Sequence, residues 1–452
     1  MSGTFSRLNL KAMWALAVLG HFCLLAPWIV VMRQVEPYMD EIFHIPQAQR
    51  YCQGRLSEWD PKITTFPGLY FLSSMARGFS NTFCDKDSLR LDNMAYALGT
   101  HVIMYRLLRR RLSPERAAGQ ALLLSLYPIH FFFQALYYTD VGSLFWTLLT
   151  HDLAMPRPGQ GLPSRSSCVL AAVAGGVAIL FRQTNAVWLM FTFGTACLHD
   201  LQTSKWGSAL EHVSMSGLLL FPKALLLESP RLLQRLGPLL LPVLAFLCFV
   251  VWNGSIVVGD HLNHQAASHW AQLAYLLAVT AATSSSAYGF STLRSFSFAL
   301  AAHPVAAGLT VLFIGLLLNK YTLAHPFLLA DNRHYTFYIW NRFLKRPWLK
   351  EALSPGYFYA AWFCWRRHAA HWLWLLIWFV ASALTLVPAP LLEPRYWTTA
   401  VLMAHLHSPT STTRREDLAL GSAFMLINIV TLGVFVYRPF TWPSGEAARF
   451  MW

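Results

Sequence analysis

The sequence predicts an all-α polytopic membrane protein, on three observations. The chain of 452 residues is 55% hydrophobic and 15% aromatic but only 12% charged, about half the charge of an ordinary soluble domain. Apolar runs recur along its whole length, from residues 13–32 to residues 418–436. Its basic residues gather in short clusters between those runs, the bias of cytosolic loops. The formal charge of +14 therefore reads as membrane topology. No basic and aromatic interleaving of a nucleic-acid groove stands out, and no nucleic-acid partner is expected.

Taken in order, Arg7 and Lys11 precede the first apolar run, which puts its start in the cytosol and the following loop on the far side. The run is too long for the core of a cleaved leader and reads as an uncleaved first span. Residues 33–90 form the first luminal loop. Within it, 45–55 reads as an amphipathic helix, 57–61 as a polar turn, and 63–83, interrupted by Pro67, Gly68 and Arg77, as a helix lying in the interface. Further spans are expected at 94–108, 121–136, 141–153, 168–181, 186–198, 237–252, 273–288, 296–318, 372–387, 396–405 and 418–436. With the first, that is roughly a dozen, several shorter than the about 20 residues of an ideal span.

The connections carry the charge. Arg109, Arg110, Arg111 and Arg116 mark one cytosolic turn, Arg157 and Arg165 a Pro- and Gly-rich second. Residues 199–236 read as a longer polar segment with Lys205, Lys223, Arg231 and Arg235. Counting spans puts Asp331 on the luminal side, yet no span separates it from the basic turn at 342–350. No internal repeat is visible, and residues 1–452 read as one transmembrane domain.

Seven cysteines are scattered without a CxxC pair, which indicates neither a zinc site nor a redox motif. Cys52 and Cys84 share the first luminal loop, and a disulfide and two free thiols both stay open there. Asn253-Gly254-Ser255 is an N-glycosylation sequon, usable only on a luminal face.

Asp40 and Glu41 stand just outside the first span, an expensive place unless water, a partner or a reaction uses them. The threading gathers them on one side with Asp140, with Arg182 and Asn185, and with Asp331, Arg333 and His334; Glu393 and Arg395 join them. Each group also has a plainer use. Asp40 and Glu41 suit a helix cap, as does Asp140; Arg182 suits snorkelling to the interface, Asp331 and Arg333 an internal ion pair, and Arg395 an orienting role. His44 is a metal-ligand type, but no second ligand stands at a diagnostic spacing, so no metal and no cofactor is expected.

A carboxylate at the membrane edge, faced by Arg and His, suits transfer of a sugar from a lipid phosphate. The acceptor hydroxyl needs a general base, and the leaving phosphate needs fixed donors, for which Arg is well shaped. Displacement with inversion needs one catalytic carboxylate, not the pair used in retaining hydrolysis. Asp40 is the expected base with Glu41 beside it; Arg333 and His334, with Arg182, are expected on the phosphate. Two other functional classes compete with this one. A non-enzymatic regulator of an ion channel would work through helix packing alone, and a transporter would place its polar groups nearer the bilayer midplane.

Residues 36–52 (EPYMDEIFHIPQAQRYC) carry a resemblance. It continues at 59–65 (WDPKITT) with Pro67, Gly68, Leu69 and Tyr70, at 136–139 (LYYT), 181–185 (FRQTN), 256–260 (IVVGD), 325–338 (HPFLLADNRHYTFY), 438–440 (RPF) and 449–452 (RFMW). The chain resembles, from end to end, the endoplasmic-reticulum dolichyl-phosphate-glucose α-1,2-glucosyltransferases, which add the third glucose to the lipid-linked oligosaccharide of N-glycosylation. The resemblance implies a GT-C type, inverting enzyme of the endoplasmic-reticulum membrane with a luminal active site. Its partners would be dolichyl-phosphate-glucose, a dolichol-linked diglucosylated oligosaccharide and membrane lipid, with no nucleotide sugar and no metal. Asp40 matches the base of the first luminal loop. His44, Asp140, Arg182, Asn185, Asp331, Arg333, His334 and Arg395 are the substrate-binding candidates. Asp140 stands where the pattern leads one to expect Glu, Pro394 where it looks aromatic, and residues 155–166 diverge.

Overall fold

In a bilayer the backbone has no water to bond, so apolar runs of this kind close their hydrogen bonds as helices. The computed structural model, which describes residues 2–157, 161–259, 266–408 and 413–452, is accordingly mostly helical. Among the described residues, Ser229–Asn253, Pro304–Tyr321 and Arg414–Tyr437 are long and apolar enough to cross a membrane. Ala17–Met32, Arg165–Phe181, Met215–Leu227, Ala271–Ala282 and Trp372–Leu386 are shorter apolar helices. This is the make-up of a polytopic membrane protein. The chain packs as two compact units, one of residues 1–125 and 130–264, the other of residues 126–129 and 265–452.

The first unit holds α1 (Ser2–Met32), α2 (Glu41–Cys52), α3 (Gly68–Ala76), α4 (Lys86–Leu108), α5 (Pro114–Ser125), the part of α6 (Pro128–Phe133) from residue 130 on, α7 (Thr139–Ala154), α8 (Arg165–Phe181) and α9 (Asn185–Gln202). Local chemistry fixes several starts. The Asp85 carboxylate accepts from the Asp87 and Ser88 amides at the head of α4, and Ser164 accepts from the Ser167 amide at the head of α8, each satisfying an amide that the helix leaves unbonded. α7 packs against α4, α8 and α9. α2 and α3 lie over the helix ends on a cluster of Ile45, Ala48, Tyr51, Leu69, Tyr70, Tyr137 and Phe181. Gly68 permits this close approach, because a Cβ there would come within 2.6 Å of the Leu180 carbonyl oxygen.

The charged groups of this unit divide between its two ends. Asp40, Glu41, Asp140 and Arg182 lie where α1 and α8 finish and α2, α4 and α7 begin. At the opposite end Asp152 pairs with Arg106 at 2.7 Å and Arg110 at 2.6 Å, and Asp200 pairs with Arg231 at 2.5 Å. A disulfide joins Cys52, the last residue of α2, to Cys84, just before α4, deciding a pairing that the sequence left open.

Several expected spans differ in the structure. The run 121–136 is interrupted: α5 stops at Ser125 and α6 starts at Pro128, while the Asn428 amide bonds the Leu126 carbonyl at 2.9 Å. The run 296–318 is two helices, Phe290–Ala302 and Pro304–Tyr321. Its break falls at His303, where Pro304 starts the second helix with an amide nitrogen that cannot donate. The run 273–288 is helical only over Ala271–Ala282, with a 3-10 turn after it at Ser285–Tyr288. The segment read as polar holds the apolar helix Met215–Leu227.

Between the basic turn and residue 372 the structure has a helix, Ser354–His368, that hydropathy concealed. It ends in Arg366, Arg367 and His368 and is rich in Tyr and Trp, which lowers its mean hydropathy. Its start packs on Pro304–Tyr321, where Gly315 faces Ser354, and the short helix Pro347–Ala352 before it packs there too, with Asn319 bonding Glu351 at 2.5 Å. Residues 322–353 are therefore one connection at a single end of this helix pair. That is why no span separates Asp331 from the basic residues at 342–350. A two-residue hairpin, Phe440–Thr441 with Ala447–Ala448, is the sole sheet among the described residues.

Candidate active site

Glu41 organises the first unit's polar end. Its carboxylate is fully buried and takes two hydrogen bonds from the Arg90 guanidinium, at 2.8 and 2.6 Å. It also accepts from the Tyr137 amide at 2.8 Å and the Tyr38 amide at 3.3 Å. Arg90 in turn donates to the carbonyls of Met32 and Val35 at 2.7 and 3.0 Å, satisfying oxygens at the C-terminal end of α1. A buried carboxylate this completely bonded is a clamp between α1, α2, α4 and the turn before α7.

The clamp fixes Asp40, the residue before it. Met39 adopts φ 53°, a left-handed conformation unfavourable for a side chain with a Cβ, and the chain then enters α2 with Asp40 at its N-cap position. Asp40 is partly exposed. Its amide donates to the Tyr138 hydroxyl at 3.1 Å, and its charge acts on Tyr70, whose phenol burial holds well above its ordinary range. His44, one turn further along α2, shares a hydrogen bond with the Tyr70 hydroxyl at 2.5 Å and meets the Tyr138 ring edge-on at 5.9 Å. Asp40, His44, Tyr70 and Tyr138 thus form one constellation.

Asp140, in the first turn of α7, pairs with Arg182, the residue after α8. The adjoining turn is held by Gln183, whose amide donates to the Thr64 carbonyl at 2.8 Å. Thr64 also accepts from the Val258 amide at 3.2 Å. Gly259 is required there: its φ is 83°, and a Cβ would come within 2.4 Å of the Pro61 carbonyl oxygen. Asp260, which ends that motif, and His261 lie outside the described residues. Asn185 is placed differently from the rest, buried, with its amide donating to Ser143 and to the Ala178 carbonyl, both at 2.7 Å. That geometry ties α9 to α7 and α8. The amide of Asn253 likewise bonds the Ser255 and Val257 carbonyls, at 3.0 and 2.9 Å.

In the second unit Arg333 binds Asp331 through Nε and Nη2, both at 2.7 Å, and its guanidinium lies 4.6 Å over the Trp442 ring. Burial pushes the Asp331 carboxyl up, but hydrogen bonds from the Arg333 side chain and amide, with the nearby His334, leave it below the usual carboxylate range. The chain's last described residues hold this loop. The Met451 amide donates to the Arg333 carbonyl at 2.9 Å, the Tyr335 amide donates to the Met451 carbonyl at 3.0 Å, and His334 Nδ1 bonds the Trp452 carbonyl at 3.0 Å. Arg395 pairs with Glu393, and Pro394 opens a buried 3-10 turn at Pro394–Trp397.

Beside this loop, wholly within the second unit, lies a cavity of about 820 Å³ with an almost entirely apolar lining. One wall is a stripe of the Arg414–Tyr437 helix, comprising Glu416, Ala419, Leu420, Ala423, Phe424 and Ile427. These positions share a helix face, and at 1.5 Å per residue they extend over roughly 16 Å. Thr336 and Trp452 also line it.

Sequence reasoning named Asp40, Glu41 and His44 but missed Arg90, Tyr70 and Tyr138 as their partners. Tyr70 and Tyr138 stand in stretches that carried the resemblance. Arg90 had one signal, a cation in the first turns of an otherwise half-apolar helix.

The DIE2/ALG10 family matches residues 34–406. The mouse Dol-P-Glc:Glc(2)Man(9)GlcNAc(2)-PP-Dol alpha-1,2-glucosyltransferase is 36% identical, covering 92% of this chain and 93% of its own. The Arabidopsis thaliana protein of the same name is 32% identical over 94% and 98%, and that of Drosophila melanogaster 35% over 92% and 93%. No solved structure matches the chain.

Proposed function

Because the chain belongs to the DIE2/ALG10 family, we propose that it transfers glucose from dolichyl-phosphate-glucose to a diglucosylated, dolichol-linked high-mannose oligosaccharide. The acceptor is the 2-hydroxyl of the terminal glucose, and the product is the completed N-glycan precursor. Residues 1–452 act as one transmembrane domain of GT-C type in the endoplasmic-reticulum membrane, with the Asp40 end in the lumen. The Cys52–Cys84 disulfide supports that side, since such bonds persist in oxidising compartments.

One observation carries the assignment of roles: adjacent carboxylates in opposite states. Glu41 is fully buried and saturated by Arg90 and backbone amides, whereas Asp40 is partly exposed at the head of α2. Asp40 accepts the proton of the acceptor hydroxyl as its oxygen attacks C1 of the donor glucose. The bond from C1 to the phosphate oxygen breaks with inversion, and its electron pair leaves with dolichyl phosphate. Glu41 positions the base and does not share its work. His44, Asp140 and Arg182 contact the sugars, while Arg333 and His334 bind the donor phosphate. The apolar cavity beside them takes the dolichyl chain. No observation favours an ion-channel regulator.

The test is an assay of the purified protein with defined dolichyl-phosphate sugars and lipid-linked acceptors. Transfer from dolichyl-phosphate-glucose and none from dolichyl-phosphate-mannose is expected. A folded protein that moves neither sugar overturns the reading.

A further inference from the structure

Trp452 lines the cavity of the second unit, and its backbone is tied to the loop that carries Arg333 and His334. Its position is fixed from both directions. Its carbonyl bonds His334 at 3.0 Å, its ring meets Tyr335 edge-on at 5.1 Å, and Met451 before it is bridged to the backbone of 333–335. Its side chain lines the cavity, and its indole Nε1 is buried with no hydrogen-bond partner among the described residues. An indole nitrogen can only donate, and a buried donor without an acceptor is a standing cost that native structures rarely carry. Most of the cavity wall is hydrocarbon.

We propose that the Trp452 indole N–H donates a hydrogen bond to a phosphate oxygen of the polyprenyl donor, at the point where its hydrocarbon chain enters the cavity. The proposal rests on the donor reading above and adds a residue and an orientation to it. Among the described residues Tyr127 is the other lining residue with a buried unpartnered donor, and it packs against the Phe424 ring at 6.3 Å. Trp452 instead is bonded to the loop that carries Arg333 and His334. An anionic headgroup belongs at Trp452, with the chain running along Ile427, Phe424, Ala423 and Leu420 towards Glu416.

Trp452→Phe keeps an aromatic ring against Tyr335 and removes the N–H. Donor KM should rise about tenfold, the scale of one hydrogen bond to a charged acceptor, with acceptor KM unchanged. Competition by a short polyprenyl phosphate should weaken by the same factor, and competition by the uncharged polyprenol should not. An unchanged donor KM, or equal weakening of phosphate and alcohol, overturns the proposal. Trp452→His, which retains a ring N–H, gives a second reading independent of the Phe protein. Its donor KM should stay within about threefold of wild type, and a tenfold loss tells against the bond. If the wild-type protein fails to use dolichyl-phosphate-glucose at all, the donor reading itself fails, whatever Trp452 does.

Discussion

Glu41 and Arg90 meet as a doubly hydrogen-bonded ion pair in which the side chains are 0% and 3% exposed. They stand 49 residues apart in sequence, yet they hold together the end of α1, the start of α2 and the first turns of α4. Removing one member leaves the other charge buried and uncompensated, which costs about 3–5 kcal/mol. Glu41→Leu and Arg90→Met should each lower the unfolding midpoint sharply. The double replacement Glu41→Leu with Arg90→Met should recover much of that loss, because it removes the buried charges together. Thermal unfolding of the four proteins in detergent measures this, and simple additivity of the single losses would contradict the clamp.

Asp40 differs from its neighbour in what its loss should do. Asp40→Asn keeps the backbone amide that donates to Tyr138 and lies outside the Arg90 pair, so its unfolding midpoint should match wild type. Its turnover should fall by about 10²–10⁴, the range of a lost general base, with both KM values little changed. A folded Asp40→Asn protein with normal turnover removes Asp40 from the chemistry.

Tyr138→Phe deletes the hydroxyl that accepts from the Asp40 amide. The net worth of one such neutral bond is about 0.5–1.5 kcal/mol. The expected loss in turnover is therefore modest, roughly 2- to 12-fold at 1.4 kcal/mol per factor of ten, and well short of that in Asp40→Asn. Parity between the two variants would mean that Tyr138 acts on the reaction directly.

The Asp331 carboxyl, held below its usual range by Arg333 and His334 against the opposing effect of burial, sets a pH dependence of known sign. The unfolded chain binds its proton more readily than the folded one, so the pairing stabilises above the ordinary carboxylate value of about 3.9. That stabilisation is lost as pH falls through the lowered value. The midpoint difference between wild type and Asp331→Asn should not shrink from about pH 8 to pH 5 and should be lost only below about pH 4. A difference that shrinks between pH 8 and pH 6 would assign the effect to another group.

Cys52 and Cys84, 32 residues apart, close the loop that carries α3 and tie it to the end of α2. A native bridge over a loop of this size contributes about 2–4 kcal/mol. Replacing both by Ala should lower the unfolding midpoint, and both thiols in the wild type should resist alkylation until a reductant is added. Ready alkylation of Cys52 without reductant would show the bond absent.

How much of this was legible follows from the range of each signal. The Asp40 loop announced itself because two carboxylates directly follow an apolar run. Pro304, in the run read as one span, was a usable break signal, since a proline starts a helix more readily than it continues one. Ser354–His368 stayed hidden because its Tyr, Trp and Arg residues lower the hydropathy on which span-reading depends. Arg90 reads from the sequence only as a cation at a helix start, since helical periodicity says nothing about a partner 49 residues away. The cavity is the extreme case: its walls come from Tyr127, Tyr275, Phe424 and Trp452, and no local pattern links them.

The cavity also gives the most direct check on the donor assignment, because one helix presents both a lining face and an exterior face. Ala419 and Ala423 line the cavity, whereas Leu418, on the same helix, is 71% exposed. Ala423→Phe places a ring where the dolichyl chain would run, without removing a polar contact or a packed side chain. If the chain lies there, donor KM should rise by at least about tenfold, because the ring displaces several methylene-sized groups worth about 0.8 kcal/mol each. Acceptor KM should hold, and turnover at saturating donor should be retained, since no group assigned to the reaction has moved. Leu418→Phe adds a comparable ring to the exterior and should leave all three constants unchanged. Equal effects from the two substitutions would mean that the helix tolerates neither ring, and an unaffected Ala423→Phe would mean that the donor chain lies elsewhere.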